Sequence, residues 1–460
     1  MPVVGAFAVP HPPIILPEIG RGEERKIQAT IDAYREAARR AGALRPETLA
    51  VLSPHSVMYQ DYFHISPGAG ARGDLAAFGR PDVAFGAAYD ADLAGAVARE
   101  AKAQGLPAGT LGERDRSLDH GTMIPLRFFG ESCPGTPILR IGLSGLSLLE
   151  HYRFGKCIAR AAESLGRRVV LIASGDLSHK LKADGPYGYA EEGPEFDRRI
   201  MEILSSGDFE KMLELDPVFC EGAAECGLRS FVIMAGALDG RAVRAEKLSY
   251  EGPFGVGYGV AAFEVMGDDG SRRFDEVFLK RERERLDAVA ACEDPYVKLA
   301  RLSLETWVKT GRPAEVLAGL PDEMLRRRAG VFVSLKKEGQ LRGCIGTISP
   351  AAGCVAEEIL RNAVSAGTQD PRFPPVEVSE LPRLVYDVDV LSEPERASED
   401  QLDVKRYGVI VTSGRKRGLL LPNLEGVTSV KQQIGIALRK AGIGEGEVYF
   451  LERFEVVRHL

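Results

Sequence analysis

The sequence lacks the features that define several common classes of protein. No apolar stretch approaches the roughly 20 residues that a membrane-spanning helix needs. The first residues have neither the basic region nor the long apolar region of a secretory signal. The seven cysteines form no CxxC pair, which argues against a disulfide framework and against a zinc ribbon. We therefore expect a cytoplasmic protein with no membrane partner.

An excess of basic charge is also missing. Lys and Arg together number 59 against 66 Asp and Glu, so the formal net charge is -7 and no nucleic-acid partner is expected. A hydrophobic content of 45% is that of an ordinary globular protein. At 460 residues the chain is too long for one core, which predicts two or three domains.

The first half alternates short apolar runs with helical segments. Strands are predicted at Val3–Val9, Thr48–Leu52, Pro137–Leu143 and Val169–Ala173. Helices are predicted at Glu23–Ala41, Asp90–Gln104, Leu146–Gly166 and Glu221–Leu238. The segment Met58–Arg80 is rich in glycine and aromatic residues and is expected to be a loop. This alternation predicts an α/β domain with a mostly parallel sheet flanked by helices.

The composition changes after the first 266 residues. A strongly charged segment within residues 267–290 predicts a connecting helix. Beyond it, strand-like and helix-like segments follow one another without regular alternation, which is typical of an α+β domain. We therefore predict domains at residues 1–266 and 291–460, joined by a linker helix at 267–290.

Histidines follow three of the predicted strands. His11, His55 and His179 come after separate strands, and parallel strands end at the same edge of a sheet. Imidazole binds metals and also transfers protons near neutral pH, although a single loop histidine is more often a simple hydrogen-bonding group. A non-heme iron(II) site needs two histidines and a carboxylate, and the segment Glu221-Gly-Ala-Ala-Glu225-Cys226-Gly227 is the best candidate to supply the carboxylate beside His11 and His55. His179 and His120 then remain as acid/base or oxygen-binding groups.

Four short motifs carry a family resemblance over about residues 1–265. They are Pro10-His11-Pro12, Ser53-Pro54-His55, Asp119-His120-Gly121 and Gly175-Asp176-Leu177-Ser178-His179. In this order they resemble the class III extradiol ring-cleavage dioxygenases, and equally the related Memo proteins. The resemblance implies a metal site that opens onto a small-molecule substrate.

The two related families differ at the third metal ligand. Both resemblances imply that His11 and His55 are ligands, and the dioxygenases imply that His179 is the catalytic acid/base. The dioxygenase ligand set points to Glu225, whereas Memo proteins have a cysteine that matches Cys226. A carboxylate suits iron(II) and the oxidation of a catechol-like or other small aromatic substrate, whereas a thiolate favours copper or zinc. The sequence leaves open a dioxygenase-like oxidoreductase and, as the alternative, a Memo-like metal-binding or scaffold protein without ring cleavage.

The second half contains one dense motif, Leu341-Arg342-Gly343-Cys344-Ile345-Gly346-Thr347. Cys344 could be a reactive thiol whose pKa is depressed by Arg342, or a buried cysteine in a tight strand. Together with Asp370-Pro371-Arg372-Phe373, this motif resembles the AMMECR domain, whose activity is not established, over about residues 290–460.

The order of the two halves resembles the AmmeMemoRadiSam system protein A family, which implies a radical-SAM protein as a partner. The chain has no CxxxCxxC motif, so it is not expected to hold that partner's iron–sulfur cluster itself. A homo-oligomer is compatible with the sequence.

Overall fold

The computed structural model describes residues 2–113, 116–316, 318–424, 426–444 and 446–460. The chain divides into two compact units, residues 1–279 and residues 280–460. The division falls inside a helix that runs from Phe274 to Cys292, in the region where a linker helix is predicted. Among the described residues, no helix is both long enough and apolar enough to cross a membrane.

The first unit is built from strands and helices that alternate along the chain. Its strands are β1 (Val3–Val9), β2 (Thr48–Ser53), β3 (Phe63–His64), β4 (Gly70–Leu75), β5 (Arg80–Ala88), β6 (Ala108–Gly109), β7 (Ile138–Gly142), β8 (Val169–Ser174), β9 (Arg241–Glu251) and β10 (Tyr258–Asp268). Its helices are α1 (Pro17–Gly20), α2 (Gln28–Ala43), α3 (Ala91–Ala103), α4 (His120–Ser132), α5 (Leu148–Ser164), α6 (Glu192–Ser206), α7 (Glu210–Leu213), α8 (Pro217–Ala223) and α9 (Leu228–Ala237). The helix at Phe274–Cys292 is α10.

A six-stranded sheet with the order β7-β2-β8-β1-β10-β9 lies at the centre of the first unit. The pairings among β7, β2, β8 and β1 are parallel, and β10 and β9 extend the sheet with antiparallel pairings. Alternate residues of β8 belong to two separate hydrophobic cores, with Leu171 in one and Ile172 in the other. A strand buried on both faces needs an unbroken apolar run, which is why β1, β2 and β8 agree with their predicted positions. The predicted α/β class is confirmed.

The segment Met58–Arg80, expected to be a loop, instead contains β3 and β4. β4 pairs with β5 as an antiparallel hairpin in which Gly70 lies opposite Ala88. The residues of β4 are Gly-Ala-Arg-Gly-Asp-Leu, and most of them are exposed or half-buried. Such residues have little intrinsic preference for strands, so the hairpin depends on cross-strand pairing that a single segment does not reveal.

The prediction of a single helix at Glu221–Leu238 is also wrong. The structure has two helices, α8 and α9, separated by a turn at Ala224 whose φ is +51°. Left-handed backbone is uncommon for a residue with a side chain, and alanine gives no sequence signal for it. Glu225 and Cys226 therefore lie in the connection between the two helices.

The second unit is α+β, as predicted. Its strands are β11 (Val331–Lys337), β12 (Gln340–Gly346), β13 (Leu384–Leu391), β14 (Glu395–Arg396), β15 (Gly408–Ser413), β16 (Lys416–Leu420), β17 (Phe450–Phe454) and β18 (Val456–His459). Its helices are α11 (Pro295–Thr310), α12 (Asp322–Arg326), α13 (Val355–Thr368) and α14 (Val430–Ala441), after the end of α10. The strands form two four-stranded sheets, β12-β11-β13-β18 and β14-β17-β15-β16, and every pairing in them is antiparallel.

Candidate metal centre

The central sheet brings three of the predicted histidines to one edge. His11 lies two residues beyond β1, His55 two residues beyond β2, and His179 five residues beyond β8. Since β8 lies between β1 and β2 and runs parallel to both, the carboxyl ends of the three strands meet. His120 reaches the same place as the first residue of α4, and Cys226 arrives from the connection between α8 and α9.

Three side chains lie close enough together to bind one metal ion. Nε2 of His55 is 3.0 Å from Nε2 of His11, and Sγ of Cys226 is 3.7 Å from the same His11 nitrogen. The candidate ligand atoms of these three residues all lie within 4.8 Å of one another. A metal ion bound at about 2.0–2.3 Å from nitrogen and sulfur atoms fits between groups spaced in this way.

The end of strand β8 and the residues just after it hold the His11 ring and backbone. Nδ1 of His11 is 2.9 Å from Oγ of Ser174, the last residue of β8. The backbone N–H of His11 donates to Oδ1 of Asp176 at 2.8 Å. A hydrogen bond at one ring nitrogen fixes the direction of a ligating histidine ring, so the contact with Ser174 leaves Nε2 of His11 facing His55 and Cys226.

Glu225 and Cys226 have different surroundings although they are neighbours in the chain. The Glu225 carboxylate accepts a hydrogen bond from the backbone N–H of Leu228 at 2.7 Å, at the start of α9. The Cys226 thiol points toward His11, and its sulfur is also 3.7 Å from the carbonyl oxygen of Asp176. The geometry thus groups Cys226 with His11 and His55, and gives Glu225 a capping position.

Burial sets the protonation states of the site. It lowers the pKa of His11 well below its ordinary value, an effect that the neighbouring His55 increases. Burial also lowers the pKa of His55, and it lowers that of His120 to about 3 with smaller contributions from His55 and His11. Neutral imidazole is the form that binds metals. Burial raises the pKa of the Cys226 thiol, and the nearby carboxylates of Asp176 and Glu225 raise it further, so a bound cation would be needed to hold the thiolate.

A cavity of about 670 Å³ opens beside two of the three candidate ligands, and it is lined by His11, His55, His120 and His179. The His120 ring centroid is 4.0 Å from that of His55 and 5.4 Å from that of His11. The His179 ring packs edge-on against Tyr187 at 5.1 Å. Its Nδ1 atom is buried and has no hydrogen-bond partner among the described residues.

The other walls of the cavity are largely apolar. Phe78, Phe254, Tyr187 and Tyr258 supply aromatic surface, and prolines at positions 12, 13, 186 and 253 add rigid apolar surface. Lys182 lies at the same cavity, but its ammonium group donates to the carbonyl oxygen of Pro253 at 2.7 Å. Such walls suit a planar, mostly apolar molecule with a few polar substituents.

The supporting roles of several residues were not predicted from the sequence, although Asp119 and Asp176 stand in two of its motifs. Ser174 and Asp176 hold His11, and Asp119 lies at the amino end of α4. Asp119 could have been found, because aspartate before a helix is a common capping signal. Arg140 could also have been found, because one charge inside the apolar run of β7 indicates a buried ion pair.

The Cys344 motif of the second unit has a different arrangement. The backbone N–H of Cys344 donates to Oδ2 of Asp370 at 2.9 Å, and Arg372 donates to the Cys344 carbonyl oxygen at 3.3 Å. The Cys344 sulfur accepts a hydrogen bond from Oγ of Ser334 at 3.2 Å. Arg342, expected beside the thiol, pairs with Glu380 at 2.8 Å. Asp370 and Arg372 therefore form hydrogen bonds with the backbone of β12 along the edge that no other described strand pairs with.

Two family models match the chain. The model described as the catalytic LigB subunit of aromatic ring-opening dioxygenase matches residues 5–261, and the AMMECR1 model matches residues 297–459. A protein from Clostridium acetobutylicum is 43% identical over 468 aligned positions, which cover 100% of this chain and 99% of the relative. A protein from Thermotoga maritima is 50% identical over 173 positions, covering 36% of this chain and 98% of the relative.

Two solved structures are also similar to parts of the chain. An uncharacterized protein from Pyrococcus horikoshii has 31% identity and a TM-score of 0.33, covering 35% of this chain and 88% of its own. An uncharacterized protein from Escherichia coli K12 has 14% identity and a TM-score of 0.36, covering 57% of this chain and 99% of its own.

Proposed function

This chain belongs to the family of the catalytic LigB subunit of aromatic ring-opening dioxygenases, joined to an AMMECR1 domain, and on this basis we propose that its first unit is a metal-dependent oxidoreductase. Its substrate is a small aromatic molecule that carries hydroxyl groups. The observation that carries the proposal is the convergence of His11, His55 and Cys226 beside a cavity with aromatic walls.

The ligand set bears on the choice of metal. His11, His55 and Cys226 would hold the ion, which would supply positive charge to stabilise and orient an anionic oxygen of the substrate. A thiolate among the ligands favours softer metals, so copper and zinc compete with iron(II) at this site. Iron(II) or copper fits the oxidoreductase, because zinc has no redox chemistry of its own.

The residues around the ligands have separate tasks in this proposal. The aromatic side chains of Phe78, Phe254 and Tyr258 orient a planar substrate and exclude water from it. His179, whose side chain lines the cavity, takes a proton from a substrate hydroxyl. Tyr187 packs against the His179 ring and restricts its orientation.

The test is anaerobic reconstitution of the full chain with iron(II), copper(I) or zinc(II), each in a separate sample. We expect one metal ion per chain and oxygen uptake on a panel of catechols with iron(II) or copper. His179→Ala should lower turnover by about a hundredfold to ten-thousandfold while it retains the metal. His459→Asn, at the end of the second unit, is the matched control and should keep turnover. Absence of oxygen uptake on every catechol, with any of the metals, would contradict the oxidoreductase.

One observation favours a second candidate function. Cys226, and not a carboxylate, lies beside His11, which is the arrangement that the resemblance to Memo proteins implied. In that case the first unit binds copper or zinc without ring cleavage, and the protein works with the radical-SAM partner that the sequence implied. Stable retention of copper or zinc together with no oxygen uptake would favour this second function. The partner itself stays a prediction.

A further inference from the structure

Arg140 is a buried cation in the middle of an apolar strand. It lies on β7 between Leu139 and Ile141, and only 2% of its side chain is exposed. Removing a guanidinium group from water is costly unless carboxylates and hydrogen-bond acceptors surround it. The partners of Arg140 therefore explain why this strand keeps a charge.

Two of those partners, Asp119 and Ser117, belong to the segment that leads into α4. Nε and Nη2 of Arg140 donate to Oδ2 of Asp119 at 3.2 and 2.9 Å, and Nη2 also donates to the carbonyl oxygen of Ser117 at 3.0 Å. Nη1 donates to the Tyr89 hydroxyl at 3.4 Å and is 3.6 Å from the Glu113 carboxylate. One guanidinium group thus ties β7 to the carboxylate of Asp119.

Asp119 connects this ion pair to two histidines. Its carboxylate accepts hydrogen bonds from the backbone N–H of Thr122 at 3.0 Å and from the Thr122 hydroxyl at 2.9 Å, so it caps α4, whose first residue is His120. It also accepts a hydrogen bond from Oγ of Ser53, the last residue of β2. Oγ of Ser53 in turn accepts a hydrogen bond from the backbone N–H of His55 at 3.2 Å.

The backbone in this region leaves little freedom for either histidine. A Cβ atom on Gly121 would lie 2.4 Å from Oγ of Ser53 and 3.3 Å from Cδ2 of His55, so the start of α4 packs directly on the end of β2. The His55 and His120 rings consequently sit with centroids 4.0 Å apart. A shift of the Asp119 carboxylate would move both of them.

We propose that Arg140 is a positioning residue for the metal centre, acting through Asp119 and Ser53 on His55 and His120. The inference rests on the proposed function, because it assigns a supporting residue to the same metal site. Arg140 does not touch the metal ligands in this scheme. It neutralises and orients the one carboxylate that joins β7, the end of β2 and the start of α4, and residues of this kind change metal affinity by about tenfold to a hundredfold.

The test is anaerobic titration of the full chain with cobalt(II), which reports affinity and, through its absorption bands, the thiolate and imidazole ligands. Arg140→Lys keeps the positive charge but loses the planar group that reaches Asp119 and Ser117 together. We expect its cobalt Kd to rise by about tenfold to a hundredfold, with a changed absorption spectrum. Ser53→Ala, which leaves both charges in place, should act in the same direction.

The double variant provides the sharper result. Since Arg140 and Ser53 act through the same carboxylate, adding Ser53→Ala to Arg140→Lys should change the cobalt Kd by less than about twofold. Effects that multiply instead, or a cobalt Kd of wild-type value in both single variants, would overturn the proposal. If Arg140→Lys does not fold, the Ser53→Ala titration decides alone, and an unchanged Kd overturns it.

A general loss of protein stability must be distinguished from a specific loss of the positioning of His55 and His120. Lys156→Met is the matched control, because it removes a half-buried cation from Asp239 and Asp275, neither of which is among the described residues that line the cavity. It should lower Tm without changing the cobalt Kd. Failure of the wild-type chain to bind cobalt would instead refute the metal centre itself, and is thereby distinguishable from a failure of the Arg140 network alone.

Discussion

The centre around His11 and the motif around Cys344 contain similarly reactive residue types but differ in what surrounds them. At the first, side chains from separate elements meet beside a cavity, and Nδ1 of His179 has no partner among the described residues. At the second, the N–H, carbonyl oxygen and sulfur of Cys344 each have a partner within the same sheet or its adjoining loop. Reactive residue types therefore indicate a site only where the fold brings their side chains together beside an open space.

The largest difference between the two regions is expected in metal binding. Cys226→Ala removes one of three converging candidate ligands, so the Kd for cobalt(II) should rise by more than about a hundredfold, beyond what a supporting residue contributes. Cys344→Ala should leave both the Kd and the metal content unchanged. Metal analysis after gel filtration, together with cobalt titration, checks both variants. Metal loss in Cys344→Ala would show that the second unit also takes part in binding.

An intermediate effect tests whether the Cys344 motif is structural. Asp370 is buried and accepts hydrogen bonds from the Cys344 N–H and from the backbone N–H, Nε and Nη2 of Arg372, so Asp370→Ala removes the acceptor shared by these four donors. We expect the free energy of unfolding to fall by about 2 kcal/mol, measured by urea denaturation. Cys344→Ser, which keeps the backbone contacts, is the control and should change it by less than about 0.5 kcal/mol. Equal losses of unfolding free energy in the two variants would contradict a structural role for the Asp370 hydrogen bonds.

A smaller change, counted per pH unit, is expected in the free energy of unfolding. It comes from one carboxyl group near each region, Asp197 in the first unit and Asp370 in the second. Burial raises the pKa of Asp197 to about 7, although the backbone N–H of Ser178 and the Tyr250 hydroxyl both donate to it. Since its unfolded pKa is about 3.9, the folded chain holds the extra proton between about pH 4 and 7. The free energy of unfolding should therefore fall as pH rises through this window, by at most about 1.4 kcal/mol per pH unit.

Asp370 should have the opposite pH dependence. Its hydrogen bonds with Arg372 hold its pKa below the usual range, so its contribution to stability is present above about pH 4 and is lost as the solution is acidified further. Urea denaturation of Asp197→Asn and Asp370→Asn across pH 3–8, each compared with the wild type, checks both signs. The Asp197→Asn difference should vary between pH 4 and 7, and that of Asp370→Asn below pH 4. The same sign for both would contradict this account.

The elements that could be predicted are those whose residues carry their own signal. The apolar run Val169–Ala173 indicates a buried strand wherever it lies, and the structure extends it by only one residue to Ser174. β4 could not be predicted, because its mostly exposed or half-buried Gly-Ala-Arg-Gly-Asp-Leu residues have little preference for strands. The break at Ala224 was missed because nothing in a run of Glu, Gly and Ala residues marks the one that takes a left-handed conformation.

The order of residues along the chain was enough to predict that His11, His55 and His179 follow parallel strands and so share one edge of a sheet. Which of Glu225 and Cys226 faces His11 could be read only from the folded chain. That choice depends on the turn at Ala224 and on the close packing of Gly227 against Gly175, where a Cβ atom on Gly175 would lie 2.1 Å from the Gly227 Cα. Neighbouring residues point in different directions, and a contact with a distant strand end selects the one that enters the site.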